Sequence, residues 1–383
     1  MKDRFSRLCY SRFITAIFLL LVVYGQIQAD PHRFCLSHQK HLELADVHKH
    51  QTVKAAPDRY FNGLFTRYGD GWTGADGTYS VLLPDSRTLW MFGDTFLGRV
   101  NPDRSRDRNS PLIHNSFVLQ DNSELITLHG GTKKAPAALV TPNNRSCWYW
   151  PGDGTIENNH LRVFLWKFKK TGPGLWNWVW TGTDVGSFSL PAVTLLSIKP
   201  IVSANKVLFG SAILEDGDYT FIYGTQDLKE NKYVHVARVA SNHLLGQWEF
   251  FTGSNWRKDP TSSERILAGV ANQFSVLKLG NYYCLITMDN RKPFGSDILA
   301  YISYSPCGPW SKPVKLYMAP EAGGDIVAYN ACAHPQFSAQ GKLLISYNLN
   351  HIKNLKAVFN NADLYRPKFI RADMKWLKKI SNH

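Results

Sequence analysis

Residues 72–97 read WTGADGTYSVLLPDSRTLWMFGDTFL and have the pattern of a β-hairpin. Alternation at 79–83 predicts one strand, 88–92 predicts a second, and Pro-Asp-Ser-Arg between them predicts the turn. Asp76 precedes the first strand, and Asp94 follows the second. In an antiparallel pair, the beginning of one strand lies beside the end of the other. The hairpin therefore predicts two carboxylates at the same end of a sheet.

Paired carboxylates at one end of a sheet are typical of a hydrolase that uses two acids. Gly74, Gly77 and Gly93 flank Asp76 and Asp94 and would let a ligand approach the backbone closely. The alternative is that both aspartates cap turns, because Asp-Gly is a common turn dipeptide. Both interpretations remain open on this stretch alone.

The N-terminal residues have the pattern of a secretory signal. Three arginines precede an apolar run at 13–24, and the small residue Ala29 comes before Asp30. We expect residues 1–29 to be a signal peptide that is removed, and the protein to be secreted or periplasmic. The apolar run is short for a membrane span, so we expect no span after cleavage; an uncleaved anchor is the alternative.

The chain is strongly basic. It has 383 residues and a net charge of +14, and losing the signal would remove four basic residues and one acidic residue, leaving +11. The basic residues are scattered and lack the clusters of a nucleic-acid binder, so we expect no nucleic-acid partner. A basic exported protein suits an anionic cell surface or an acidic polymer.

The cysteines argue against a disulfide framework, because an odd number remains after the signal and their spacings are wide. They are Cys35, Cys147, Cys284, Cys307 and Cys332. No pair has the CxxC spacing of a zinc site, and no nucleophile elbow, phosphate loop or HExxH motif is present. We therefore expect that no cofactor is required.

Short strands separated by turn residues predict an all-β domain at 59–375. The aromatic content of 13%, with 28 Gly and 19 Pro, fits many strands and turns. Residues 30–58 are His- and Lys-rich and are predicted to be an N-terminal extension or linker, with metal binding as the less favoured alternative. Residues 376–383 are predicted to be a C-terminal tail.

A unit of about 60 residues recurs five times. Each unit enters its first strand through small or polar residues, and these entries lie at 74–76, 151–153, 210–211, 271–273 and 333–335. Five units of about four strands predict a five-bladed β-propeller of four-stranded antiparallel blades. A strand at 61–65 is predicted to complete the last blade beside 369–371. A two-sheet sandwich is the alternative.

Several stretches resemble secreted bacterial propeller domains of unknown function that are related to endo-arabinanases and other furanosidase-type glycoside hydrolases. They are GADGTYSVLL (74–83), WMFGDTFLG (90–98), SYSPCGPWSKPVKLY (303–317), YNACAHPQFS (329–338) and LLISYN (343–348). The similarity spans about residues 60–373. It implies hydrolysis of glycosidic bonds by paired acids in the propeller funnel and an oligosaccharide or polysaccharide partner. We also expect a monomer.

The resemblance carries over to Asp76 and Asp94 as the catalytic acids. Five-bladed furanosidases use a further Glu as general acid, and no Glu of this chain has an unmistakable match. Glu157 and Glu215 are candidates for that third acid, although each also suits a solvated loop or hairpin tip. The resemblance also leaves open a structural cation or water in the central channel, near His334.

Other residues are predicted to bind the substrate. They are Trp150, Asp153, Asn272, Gln273, Asp289 and His334. Aromatic faces suit sugar rings and amides suit sugar hydroxyls, but each candidate has a structural alternative as core, turn, cap or buried hydrogen-bonding residue. A polysaccharide-degrading glycoside hydrolase, arabinan being one suitable substrate, is the first hypothesis. A non-catalytic carbohydrate-binding propeller and a surface interaction protein are the alternatives.

Overall fold

The computed structural model describes residues 53–69, 71–174, 176–229, 231–354, 356–375 and 377. The predicted signal peptide, residues 30–52 of the predicted extension and nearly all of the predicted tail lie outside these residues. Within the described part, no helix is long and apolar enough to span a membrane.

The first third of the described chain contains ten strands and one short helix. In chain order these are β1 (Ala55–Pro57), α1 (Arg59–Leu64), β2 (Trp72–Ala75), β3 (Tyr79–Leu82), β4 (Thr88–Phe92), β5 (Thr95–Leu97), β6 (Leu112–Ile113), β7 (Ser116–Asp121), β8 (Glu124–Leu128), β9 (Gly130–Gly131) and β10 (Pro136–Ala137).

The remaining elements are longer on average. They are β11 (Cys147–Glu157), β12 (His160–Lys170), β13 (Trp178–Ser189), β14 (Thr194–Pro200), β15 (Val207–Asp216), β16 (Tyr219–Asp227), β17 (Lys232–Ala240), β18 (Glu249–Phe251), β19 (Trp256–Arg257), β20 (Leu267–Ala268), β21 (Phe274–Leu279), β22 (Tyr282–Met288), β23 (Asp297–Ser303), β24 (Val314–Met318), β25 (Ile326–Ala339), β26 (Lys342–His351), α2 (Ala357–Asn360) and β27 (Lys368–Asp373), with 3₁₀ turns at Pro260–Ser262 and Ala362–Tyr365.

Five large antiparallel sheets contain most of these strands. Their orders are β3-β4-β7-β8, β11-β12-β13-β14, β15-β16-β17-β18 with β19 and β20 added, β21-β22-β23-β24, and β25-β26-β27-β1. Two small sheets, β2-β5-β6 and β9-β10, flank them. The prediction of an all-β domain of four-stranded antiparallel sheets is confirmed. Apolar side chains fill the spaces between sheets, as where Met91 and Phe117 cluster with Leu161 and Phe188.

The first strands of the five large sheets contact one another in a closed sequence. β3 contacts β11, β11 contacts β15, β15 contacts β21, β21 contacts β25, and β25 contacts β3. Side chains from all five line one cavity of about 360 Å³. Residues at the ends of these strands are thereby brought together from distant parts of the chain.

The N-terminal strand differs from the prediction. Ala55–Pro57, inside the predicted extension, pairs with β27, whereas 61–65 falls in α1 and the residue after it. The prediction of a strand at 61–65 is wrong: a spacing of four residues puts Phe61 and Phe65 on one face of either a strand or a helix, and the structure has the helix. Both are buried against Phe369. The Asp58 side chain caps this helix by accepting the Phe61 backbone N–H at 2.9 Å.

Three of the predicted strand entries, 151–153, 210–211 and 333–335, lie inside longer strands, β11, β15 and β25. The pairing of these strands shifts register between Pro151 and Gly154, between Phe209 and Ala212, and between His334 and Ala339. Small residues are as suitable for a β-bulge as for a strand start, so the sequence pattern marked the bulges.

Candidate active site

Asp76 and Asp94 lie opposite each other in the first hairpin. Ala75 pairs with Thr95 on one side of them, and Tyr79 pairs with Met91 on the other. Between these pairs the ladder is interrupted, because Gly77 has a φ of +70°. The Gly93 N–H donates to the Asp76 carbonyl at 2.8 Å and keeps Asp76 close to the residue before Asp94. A methyl group added to Gly93 would lie only 2.9 Å from Asp76 Oδ1, so this carboxylate reaches the residue next to Asp94.

Asp76 sits among tyrosines from the C-terminal part of the chain. The Tyr329 hydroxyl donates to Asp76 Oδ2 at 2.9 Å, and Tyr365 lies close enough to form a second hydrogen bond. Burial, followed by the charge of Asp94, raises the pKa of Asp76 to about 7, against the opposing effect of the tyrosine hydrogen bonds. A carboxyl group with this pKa exchanges its proton near neutrality.

Asp94 is more accessible and is held by two donors. Its side chain is 27% exposed. The Trp150 indole N–H donates to Oδ1 at 2.8 Å, and His114 Nδ1 lies 2.9 Å from the same oxygen. The structure therefore brings Trp150, a predicted binding residue, to the paired acids, with its ring also packed edge-on against Trp178 at 5.1 Å.

Gln273 also belongs to this site. Its amide nitrogen lies 3.2 Å from the position that a methyl group on Gly77 would take, and Gly77 follows Asp76 directly. The Gln273 Oε1 atom is buried without a hydrogen-bond partner, and so is Asn272 Oδ1. Asn272 donates its amide to Asp227 Oδ2 at 2.8 Å. Buried amide oxygens without partners are uncommon, and they suit the hydroxyl groups of a ligand.

The structure places Asp153 in the wall of the cavity and not beside Asp76. Its Oδ1 accepts the Gly154 N–H and its Oδ2 the Ile213 N–H, both at 2.8 Å, so it ties β11 to β15. Burial raises the pKa of Asp153 to about 7, against the effect of these two backbone hydrogen bonds.

Neither candidate for the third acid lies with the paired aspartates. Glu157 ends β11, seven residues beyond Trp150, a span of about 20 Å along an extended strand. It is buried, forms an ion pair with Arg162 at 2.8 Å and accepts the Leu244 N–H. Glu215, near the end of β15, accepts a hydrogen bond from the Thr155 hydroxyl.

Asp289 and His334 have their hydrogen-bonding atoms occupied. Asp289 forms an ion pair with Arg291 at 2.8 Å; burial opposes its ionisation, but the hydrogen bonds and charge of Arg291 outweigh burial and lower its pKa. His334 is fully buried, with Nδ1 2.6 Å from Ser80 Oγ and Nε2 2.8 Å from Ser346 Oγ. Burial lowers the pKa of His334 to about 3, so the ring is neutral and leaves no nitrogen for a cation.

The described residues contain no group of three or more His, Cys, Asp or Glu side chains arranged to hold a metal ion.

Three residues of the site were not found by the sequence analysis. Tyr329 and Tyr365 contact Asp76, and His114 contacts Asp94. No local pattern pairs them with the acids, because Tyr329 is 253 residues and His114 is 20 residues from its partner in sequence. Tyr329 lies in the YNACAHPQFS stretch, which was the one available signal.

Similarity to a family covers most of the chain. A family model described as a domain of unknown function, DUF5005, matches residues 58–376. Among curated proteins, none shows significant similarity to this chain.

Solved structures match this chain to different degrees. A Bacteroides ovatus protein, provisionally described as a hydrolase, has 27% identity and a TM-score of 0.74 over 86% of this chain and 92% of its own. An exo-β-1,3-galactanase of Phanerochaete chrysosporium has 11% identity and a TM-score of 0.48 over 83% of this chain and 64% of its own. A GH43_1 enzyme of Xanthomonas citri has 14% identity and a TM-score of 0.47 over 84% of this chain and 90% of its own.

Proposed function

The chain belongs to the DUF5005 family, and we propose that it is an exported glycoside hydrolase that cleaves an extracellular or cell-surface polysaccharide. The observation that carries this proposal is the pair of carboxylates, Asp76 and Asp94, which lie close together at one end of the first hairpin, where the charge of Asp94 acts on Asp76. The provisional description of the Bacteroides ovatus relative as a hydrolase supports it.

We propose further that the five large sheets are the blades of a five-bladed β-propeller. The closed sequence of contacts among their first strands supports this, as does β1, which joins the N-terminal end of the domain to the last sheet. In such a ring, the paired acids lie at one mouth of the central channel, where a polymer chain has access to them.

Asp76 is proposed as the general base. Its pKa of about 7 makes it a stronger base than an ordinary carboxylate, and a base works best when its pKa is near the working pH. It would take the proton of the attacking water. Asp94 would raise the basicity of Asp76 and stabilise the positive charge that develops on the sugar ring.

The surroundings of the acids suit a sugar. Trp150 offers an aromatic surface beside Asp94, and Gln273, beside Gly77, has an amide oxygen without a partner. Furanoside polymers of the arabinan type are the proposed substrate class, on the strength of the sequence resemblance.

The test is glycan release from a panel of arabinose- and galactose-containing polymers, followed by chromatography of the products. The wild-type protein is expected to release oligosaccharides from at least one polymer, and the double variant Asp76→Asn/Asp94→Asn to release none. Equal release by both proteins, or release by neither, contradicts the proposal.

A non-catalytic carbohydrate-binding propeller is the second candidate function. It is favoured by the amide oxygens without partners and by the aromatic cluster of Trp148, Trp150 and Trp178, which a lectin would also need. Calorimetric binding of a polymer from the same panel, without any product on chromatography, would favour this candidate.

A further inference from the structure

The side chain of His114 is bound to the second of the paired acids. Its Nδ1 lies 2.9 Å from Asp94 Oδ1, and because an ionised carboxylate can only accept, Nδ1 carries the hydrogen. This bond fixes the tautomer and leaves Nε2 as the ring nitrogen that a ligand can use. His114 lies in the short segment between β6 and β7. Ser116, the first residue of β7, pairs with Phe92, which is two residues before Asp94.

The plane of the His114 ring is fixed as well. The imidazole stacks on the Trp148 ring with centroids 4.9 Å apart and an angle of 19° between planes. Trp148 in turn stacks on Phe168 and packs against Trp150, the second donor to Asp94. Despite these contacts, 51% of the His114 side chain is exposed. An ordinary buried structural histidine, such as His334, has both ring nitrogens occupied and no exposure.

Among the described residues, the other acids considered for the site do not supply a donor for the leaving oxygen. Asp76 is proposed as the base, Asp94 is the carboxylate that holds His114, and the glutamates considered for this role lie elsewhere, Glu157 in an ion pair with Arg162 and Glu215 bound by Thr155. A histidine oriented by a carboxylate is a common general acid in enzymes.

We propose that His114 is a further catalytic residue, the general acid that protonates the glycosidic oxygen, with Asp94 holding it in position. This inference rests on the proposed function. It assigns to Asp94 a role in orienting a proton donor, in addition to the charge that it places near the sugar ring.

In the proposed step, His114 gives up one proton and Asp76 takes up one. The imidazolium gives its Nε2 proton to the glycosidic oxygen as the bond from that oxygen to the anomeric carbon breaks. A water oxygen forms the new bond to the anomeric carbon and gives one proton to the Asp76 carboxylate. The imidazole then regains a proton, and Asp76 loses one, through solvent.

The test compares two leaving groups in the variant His114→Asn. Asparagine can still donate to Asp94 but has no second nitrogen that exchanges a proton. Turnover of the polymer that the wild-type protein cleaves should fall by about two to four orders of magnitude, the usual contribution of a general acid. The dinitrophenyl glycoside of the released oligosaccharide leaves without protonation, so its turnover should fall by less than about tenfold.

The matched control is His243→Asn, at an exposed histidine whose ring bonds the Ser241 carbonyl, and it should leave both rates unchanged. Equal losses on the two substrates in His114→Asn would indicate a structural role and overturn the inference alone, as would full activity on the polymer. A wild-type protein that cleaves no polymer of the panel would overturn the proposed function and this inference together.

Discussion

The hydroxyl group of Tyr329 donates a hydrogen bond to the carboxylate of Asp76 at 2.9 Å. Tyr329 lies on the first strand of the last large sheet, and Asp76 comes just before the first strand of the first large sheet. The two residues are 253 positions apart in sequence. The contact exists because β25 packs against β3, so the ends of the domain meet at the candidate site. It gives Asp76 a donor that stabilises its ionised form, in competition with burial and the charge of Asp94.

The Tyr329 hydrogen bond should set the pH at which the proposed base becomes active. Because this bond lowers the pKa of Asp76, the variant Tyr329→Phe should raise it by roughly half a unit to one unit, the equivalent of about 1 kcal/mol. Asp76 acts in its ionised form, so the rising limb of kcat/KM should move to higher pH. Tyr60→Phe, at an exposed tyrosine, is the control. An unshifted limb in Tyr329→Phe contradicts the assigned role of Asp76.

Each of the paired acids should be required for turnover. Asp76→Asn and Asp94→Asn keep the shape of the side chain but remove the charge and the titrating proton. We expect kcat to fall by about two to four orders of magnitude in each, with little change in thermal unfolding. Asp218→Asn, at an exposed hairpin aspartate, should behave as wild type. Full activity of both site variants would transfer support to the carbohydrate-binding candidate.

A methyl group at Gly93 should displace the carboxylate of Asp76. The added carbon would lie 2.9 Å from Asp76 Oδ1 and 3.5 Å from the Trp150 ring, so the carboxylate must move. We expect Gly93→Ala to lower kcat at least tenfold, because misplacement of a catalytic group by about 1 Å is costly. Gly63→Ala meets nothing within 4 Å and is the control. Wild-type kinetics in Gly93→Ala would show that the site tolerates this shift.

Asp153 should make the stability of the fold depend on pH. Its pKa rises from 3.8 to about 7 on folding, mainly through burial. The stability that comes from the protonated group is therefore complete below about pH 4 and is lost as the pH rises through 7, by at most about 4 kcal/mol. The variant Asp153→Asn has only one side-chain oxygen for the two backbone N–H groups that Asp153 accepts. At pH 4 the variant should therefore be less stable than the wild-type protein.

The loss in Asp153→Asn should shrink or reverse by pH 8, because asparagine has no charge to bury. Urea unfolding at several pH values measures the free energy of unfolding of the variant and of the wild-type protein. Asp76 titrates in both proteins, so its contribution cancels in the difference between their free energies. Parallel pH dependence in the two proteins would contradict the role of Asp153 as a buried titrating acid.

The exported protein should begin near Asp30. A basic N-terminal region followed by a short apolar run is a substrate for signal cleavage, so N-terminal sequencing of the protein recovered outside the cytoplasm should start at or close to this residue. Recovery of a chain that retains 1–29 would indicate an uncleaved anchor.

Local sequence patterns predicted the strands better than they predicted their ends. Alternation at 79–83 and 88–92 predicted β3 and β4, and the pairing of Tyr79 with Met91 follows from a short turn. The segment 61–65 was mistaken for a strand because two phenylalanines four residues apart satisfy either period in so short a run. Only the packing of Phe61 and Phe65 on Phe369 selects the helix.

The sequence by itself determined the opposition of Asp76 and Asp94, because a hairpin is a local structure whose register is set by its turn and its alternating residues. The surroundings of these acids were decided by the tertiary structure alone. Tyr329 and Gln273 reach the site because first strands of distant sheets pack together, and no local pattern encodes which sheets become neighbours. Tertiary packing also brings His114 onto Asp94, whereas Glu157 lies at the end of β11 that is far from Trp150.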